Sequence, residues 1–252
     1  MTIDYLFYTL YSIIQGITEF IPISSSGHLN LLELLYNSKG NSRNYLYETT
    51  AHFSSLLALV FYLYKQNHLE FNNIKLNFIP ITLATIPAVV VGALIILLDI
   101  NFFSFQIIGY TSIIGGILLY LSDLKIFQVI KISDKKIKFL LTGFFQCLAF
   151  LPGFSRSGSC IIAFRLMGES RKNSSVMSLY LGMPIILISF LSNIRDVDLI
   201  EFDFNLLIIF IFTFVFAYIT LRLFISYIND IGFKPFVIYR LIFGLIILFL
   251  LS

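Results

Sequence analysis

The chain has 252 residues, 58% of them hydrophobic and 12% charged, and a mean hydropathy of +0.90. This excludes an ordinary soluble domain and indicates a polytopic helical membrane protein. The net charge is only +3, and no basic stripe interleaved with aromatic residues points to a nucleic-acid partner.

The first apolar run has no basic leader and carries Asp4, so no cleaved signal peptide is expected. It gives way to a polar, Gly- and Pro-broken segment, Gln15-Gly-Ile-Thr-Glu-Phe-Ile-Pro-Ile-Ser-Ser-Ser-Gly-His28, set between the short apolar pieces Tyr5 to Ile14 and Leu29 to Tyr36. Full crossings are predicted at about residues 46 to 64, 78 to 98 and 102 to 121. A lysine-rich stretch, Lys125 to Lys138, follows and is most simply a topology signal. A second polar segment, Gln146-Cys-Leu-Ala-Phe-Leu-Pro-Gly-Phe-Ser-Arg-Ser-Gly-Ser159, lies between Phe139 to Phe145 and Cys160 to Met167. Cys147 and Cys160 lack metal-ligand spacing with another Cys or a His and are expected to be free thiols. Crossings at about 176 to 194, 204 to 221 and 235 to 251 complete the chain.

The two polar segments are diverged copies: Gln15 and Gln146, Ser24 and Ser155, Ser26 and Ser157, and Gly27 and Gly158 are each 131 positions apart. Polar residues are costly at bilayer depth, so matching polar breaks in two halves point to a site where the halves meet. We expect a single integral-membrane domain, residues 1 to 252, built of one repeat over about 1 to 125 and another over about 126 to 252. The flanking apolar pieces, of about ten residues, rise roughly 15 Å, which reaches only mid-bilayer.

Each copy is therefore either a re-entrant hairpin or one broken crossing, and the positive-inside rule separates the two. If both are re-entrant, twelve Lys and Arg side chains gather on one side against Lys39, Arg43 and Arg195 on the other; if both cross once, the split is seven against eight. The expected fold is all-α, with six transmembrane helices plus two re-entrant helical hairpins arranged as inverted-topology repeats. Both termini and the acidic loop Asp196, Asp198, Glu201, Asp203 then lie outside the cytoplasm.

The copies divide their chemistry. Where the first has Glu19, Ser25 and His28, the second has Phe150, Arg156 and Ser159. One offers acid, base and nucleophile; the other offers a fixed cation whose planar fork suits phosphate oxygens. Ser24-Ser-Ser-Gly27 and Ser155-Arg-Ser-Gly158 each lead into a short helix, where hydroxyls and backbone N–H groups make an anion site. The substrate-holding candidates are Gln15, Ser24, Ser26, Ser155, Ser157 and Gly158. Blander readings stand beside these. Ser/Gly-rich segments often serve only close helix packing, His52 and Gln106 by default bond a neighbour, Arg240 snorkels or pairs structurally, with a direct substrate role as the minority reading, and Glu48 is a charge near a helix start, with a place on the cavity rim as its alternative.

The two segments resemble the signatures of the undecaprenyl-diphosphatase (bacitracin-resistance) family of bacterial inner-membrane proteins. The resemblance extends to Ile86-Pro-Ala-Val-Val-Val-Gly92 and Pro235-Phe-Val-Ile-Tyr-Arg240. It implies hydrolysis of undecaprenyl diphosphate to the monophosphate and phosphate, recycling the lipid carrier of peptidoglycan synthesis, in the inner membrane. It also implies a divalent cation, magnesium or calcium, and a polyprenyl diphosphate lipid as partner; the sequence leaves a homodimer open. The family's Glu/Gln-x-x-x-Glu pattern falls on Gln15 and Glu19, its Ser pair on Ser24 and Ser25, its His on His28 and its Ser-Arg pair on Ser155 and Arg156. Gln15 is the uncharged variant, so metal ligation through Gln15 and Glu19 would use one carboxylate fewer.

The expected catalytic set is Glu19, Ser25, His28 and Arg156. Ser25 is favoured as nucleophile, with Glu19 as base or metal ligand and His28 as acid; attack by His28, or by water oriented by Glu19, are the alternatives. A different lipid phosphatase class requires a second His after its Arg, and the last His here is His68. The alternative function is a lipid or ion carrier using the same midplane site.

Overall fold

The computed structural model describes residues 2–36, 42–66, 71–128, 132–193 and 204–251. Among them are ten α-helices, α1 (Thr2–Thr18), α2 (Ser25–Leu35), α3 (Ser42–Lys65), α4 (Phe71–Leu97), α5 (Phe105–Asp123), α6 (Lys135–Gln146), α7 (Arg156–Leu166), α8 (Arg171–Asn193), α9 (Phe204–Ile231) and α10 (Lys234–Leu251), and no strand. Lys39, Lys131, Arg195 and the acidic loop fall outside the described residues.

Polarity is inverted relative to a soluble protein. Large apolar side chains such as Ile86, Val90, Leu94 and Leu97 of α4 are exposed, whereas Gln15, Glu19, Ser54, Ser55, Ser112, Ser157 and Arg240 are buried. That arrangement follows from an apolar solvent, in which polar groups must find partners inside. α4 (from Asn77), α5, α8 and α9 are long and apolar enough to cross a bilayer. The expected crossings at 46 to 64 and 235 to 251 are the helices α3 and α10. α3 places Thr49, Ser54 and Ser55 in the interior.

A pair of short helices followed by three longer ones occurs twice, as α1–α5 and α6–α10. α1 runs through Thr18, further than the expected ten-residue piece, because Gln15 and Thr18 are turned inward and Thr18 Oγ1 donates to the Ile14 carbonyl at 2.7 Å. α9 also outruns its expected end: Phe224, Ile225 and Ile228 continue into the same core cluster as Phe20, Ile21 and Phe154.

The packing draws the two short pairs together. α1 lies on α9, and α6 lies on α4, each first helix of a pair against the fourth helix of the other set. α5 lies along α10, where a Cβ on Gly244 would stand 2.7 Å from the Gly109 carbonyl. Glycine there permits the close approach. At the end of α5, Asp123 accepts from Arg165 at 2.8 Å and Arg171 at 2.7 Å, tying α7 and the start of α8 to one carboxylate.

Candidate active site

The loops of the two short pairs enter their second helices in the same way. Ser24 and Ser155, the residues before α2 and α7, take φ of 75° and 76°. A non-glycine residue at such φ is strained and persists where its surroundings hold it. The next turn repeats as well: Ser24 Oγ and Ser26 Oγ lie 3.2 Å apart, as do Ser155 Oγ and Ser157 Oγ. Ser157 Oγ donates to the Ile21 carbonyl at 3.0 Å, joining the loops.

Between them is a cavity of about 80 Å³ lined by Glu19, Ser24, Ser25, Ser26, Ala149, Ser155 and Arg156. Glu19 organises it. Its Oε2 accepts from Ser25 Oγ at 2.8 Å and from Gln15 Nε2 at 3.2 Å, and its Oε1 accepts from Arg156 Nη2 at 3.2 Å. Carboxylate, hydroxyl and guanidinium thus come together across 137 positions of sequence. Arg156 Nη1 is buried without a hydrogen-bond partner, as is Gln15 Oε1. A buried, unpartnered donor and acceptor beside one cavity are costly unless a ligand uses them. Space for the guanidinium comes from Gly182 of α8, where a Cβ would stand 2.2 Å from Arg156 Nη1.

Most sequence-predicted residues meet here. Gln15 stands behind Glu19, and Ser157 supports Ser155. The Gly158 N–H is taken by Ser155 Oγ at 3.1 Å, so it caps α7. Ser24 makes no such cap, leaving the α2 N-terminus open towards the cavity.

His28 is placed differently from the acid role expected of it: its side chain does not line the cavity. Nδ1 lies 2.6 Å from the Ser24 carbonyl, which only accepts, so Nδ1 carries the proton; Nε2 faces the Tyr239 hydroxyl at 2.5 Å. The ring also stacks on Phe243 at 4.1 Å. His28 thereby holds the strained Ser24 in place.

Three participants escaped sequence reasoning. Tyr239 carried no signal beyond its neighbour Arg240, and Gly182 none at all. His52 hydrogen-bonds Gln15 Nε2 at 3.3 Å and faces Glu48 Oε1 at 3.6 Å, so its default reading as a hydrogen-bonding helix residue holds while placing it behind Gln15, next to Glu19. Arg240 does not snorkel; it is fully buried.

For a divalent cation the donors are few. Among the described residues no group of three His, Cys, Asp or Glu side chains is disposed to hold one. Glu19 and the unpartnered Gln15 Oε1 are the oxygen donors nearest the cavity, so a cation there would draw most of its ligands from phosphate and water.

Comparisons with known proteins identify the family. The profile of the family described as "Bacitracin resistance protein BacA" matches residues 8–246. The chain is 36% identical over 245 residues to the undecaprenyl-diphosphatase of Pelagibacter ubique, covering 94% of this chain and 93% of that one. It is 34% identical to those of Methanococcus aeolicus, over 94% of both chains, and Campylobacter curvus, over 95% and 96%. With the family profile matching nearly the whole chain and relatives more than 30% identical over almost their full length, the chain belongs to the BacA family.

Proposed function

We propose that the protein hydrolyses undecaprenyl diphosphate to undecaprenyl phosphate and inorganic phosphate, returning the lipid carrier to cell-wall synthesis and so conferring bacitracin resistance. One observation carries the reading: a nucleophile, its base and a phosphate-binding guanidinium share the Glu19 carboxylate at the junction of two matched loops. The curated relatives bear the same activity in their names.

In this reading the diphosphate takes up the free Nη1 of Arg156 together with the hydroxyls of Ser24, Ser26 and Ser155 and the uncapped start of α2. Ser25 Oγ attacks the terminal phosphorus while its proton passes to Glu19 Oε2. The bond from that phosphorus to the bridging oxygen breaks, and undecaprenyl phosphate leaves. Glu19 passes its proton to the departing phosphate and, a carboxylate again, takes a proton from the water that attacks the phosphoserine, returning it to Ser25 Oγ as inorganic phosphate leaves. Arg156, supported by Ser157 through Ser155, offsets charge on the transferring group. His28 acts as acid only after turning from Tyr239; in the arrangement observed it positions Ser24. A magnesium or calcium ion held by Glu19 and Gln15 would neutralise phosphate charge.

The same reading takes the fold as six crossings, α3, α4, α5, α8, α9 and α10, with α1/α2 and α6/α7 as re-entrant hairpins of a single domain. The twelve-to-three charge bias supports it and puts both termini on the outer face of the cytoplasmic membrane.

The test is phosphate release from undecaprenyl diphosphate by purified protein in detergent, with and without chelator, for wild type and Arg156→Ala. Release that the substitution abolishes is expected. A well-folded wild type that releases none, yet moves the lipid across liposomes, would favour the carrier.

A further inference from the structure

We propose that Arg240 supplies the positive charge that balances a bound diphosphate, while holding the two loops in register as a positioning residue. The proposal rests on the phosphatase reading above.

Arg240 is 0% exposed, and its guanidinium reaches three segments. Nε donates to the Ser112 carbonyl at 3.1 Å, Nη1 to Pro22 at 3.1 Å, and Nη2 to Thr111 at 3.2 Å and Gly153 at 3.1 Å. Pro22 and Gly153 are 131 positions apart, so one side chain grips the same carbonyl in both copies, each two residues before its strained serine. Room for it is reserved, since a Cβ on Gly115 would stand 2.1 Å from Nη2.

Every acceptor is a neutral carbonyl. Desolvating a guanidinium without an anion is costly, and neutral residues could bridge two loops at less expense. The charge therefore calls for an explanation that hydrogen bonding alone does not give. The cavity supplies one: its charged lining side chains, Glu19 and Arg156, pair at 3.2 Å and cancel, so apart from a cation bound with the phosphate the lining brings no net charge to a polyanion. Arg240 is the adjoining cation without a carboxylate. The position of a Cβ on Gly158 would lie 3.1 Å from Arg240 Nη1 and 3.2 Å from Ser155 Oγ, so guanidinium and cavity wall flank one point. At such a range in a partly desolvated site, a unit charge changes anion binding by roughly tenfold to a hundredfold.

The experiment compares wild type, Arg240→Lys and Arg240→Met in detergent. KM for undecaprenyl diphosphate and the inhibition constant of inorganic pyrophosphate are measured, with melting temperature reporting folding. Arg240→Met should raise both constants together by roughly tenfold to a hundredfold. Arg240→Lys, which keeps the charge but loses most of the carbonyl contacts, should stay within several-fold of wild type. Equal damage in both folded variants, or unchanged constants in Arg240→Met, overturns the proposal and leaves Arg240 a structural tie. If neither variant folds, Gly115→Ala decides: it displaces the guanidinium while retaining the charge, both constants should rise several-fold, and no change overturns the proposal. A wild type that releases no phosphate defeats the phosphatase reading instead, and is recognised before any variant is compared.

Discussion

The loop from Glu19 to Ser25 and the loop from Phe150 to Arg156 turn into their second helices alike and differ in almost every reactive side chain. Both serines before the helices sit at φ near 75°, both make the same 3.2 Å contact to a serine two residues on, and both offer a carbonyl to Arg240. In the proposed reading this shared turn serves the anion, by bringing serine hydroxyls of both loops to one cavity. In the proposed mechanism the side chains differ because phosphoryl transfer uses a base and a nucleophile on one side and a fixed cation on the other. Capping follows this division, since Ser155 closes its helix through Gly158 N while Ser24 leaves its own open.

The most damaging way to test the division is to remove its cation. Arg156→Ala should lower kcat by about 10³-fold or more, because a guanidinium aimed at a transferring phosphoryl group is worth that much; steady-state phosphate release measures it. On the other loop, Glu19→Gln and Ser25→Ala should each lose about 10²- to 10⁴-fold. Because Ser25 donates to Glu19 at 2.8 Å and the two act as one unit, the double variant should be scarcely worse than the poorer single one. Additive losses would separate base from nucleophile and favour water attack. Next in size is Gly182→Ala, which reaches the cation from outside its loop. The added methyl would stand 2.2 Å from Arg156 Nη1, so the guanidinium must move, and an activity loss of about 10²-fold is expected with a modest change in melting temperature.

Much of the site is legible in the chain because it is duplicated. The 131-residue offset by itself marks Ser24, Ser26, Ser155 and Ser157, and the unlike pairs Glu19/Phe150 and Ser25/Arg156 show where the chemistry lies. The apolar runs locate the long helices because bilayer thickness fixes their length. The rest is set by contacts that have no period. Tyr239 meets His28 across 211 positions, and Arg240 meets Pro22 across 218. Nothing in either segment names the other. An acid role is expected of His28 because histidine usually plays one; that its ring is tied at both nitrogens depends on α10, which sequence alone does not place beside α2. Helix ends are also misjudged where polar side chains turn inward, as at Gln15 and Thr18, since average hydropathy cannot distinguish a polar residue facing a site from one ending a span.

The smallest effects should come from the strained serines, and they sharpen the comparison most. Glycine tolerates φ near 75° without cost, whereas serine there carries strain of about 1 kcal/mol or more. In Ser24→Gly this strain is relieved and no helix cap is lost, so the melting temperature should hold or rise slightly. In Ser155→Gly the same relief is offset by loss of the 3.1 Å bond to Gly158 N, a cap worth about 1 kcal/mol, so stability should stay level or fall. Both variants lose a hydroxyl from the cavity and should lower kcat/KM by about tenfold. If the two melting temperatures shift equally, the capping difference between the loops has no energetic weight, and the open start of α2 ceases to be a reason for placing the anion there. If only Ser155→Gly loses stability, loop two is the braced half that holds its cation still, and loop one is the half left open for the group being transferred.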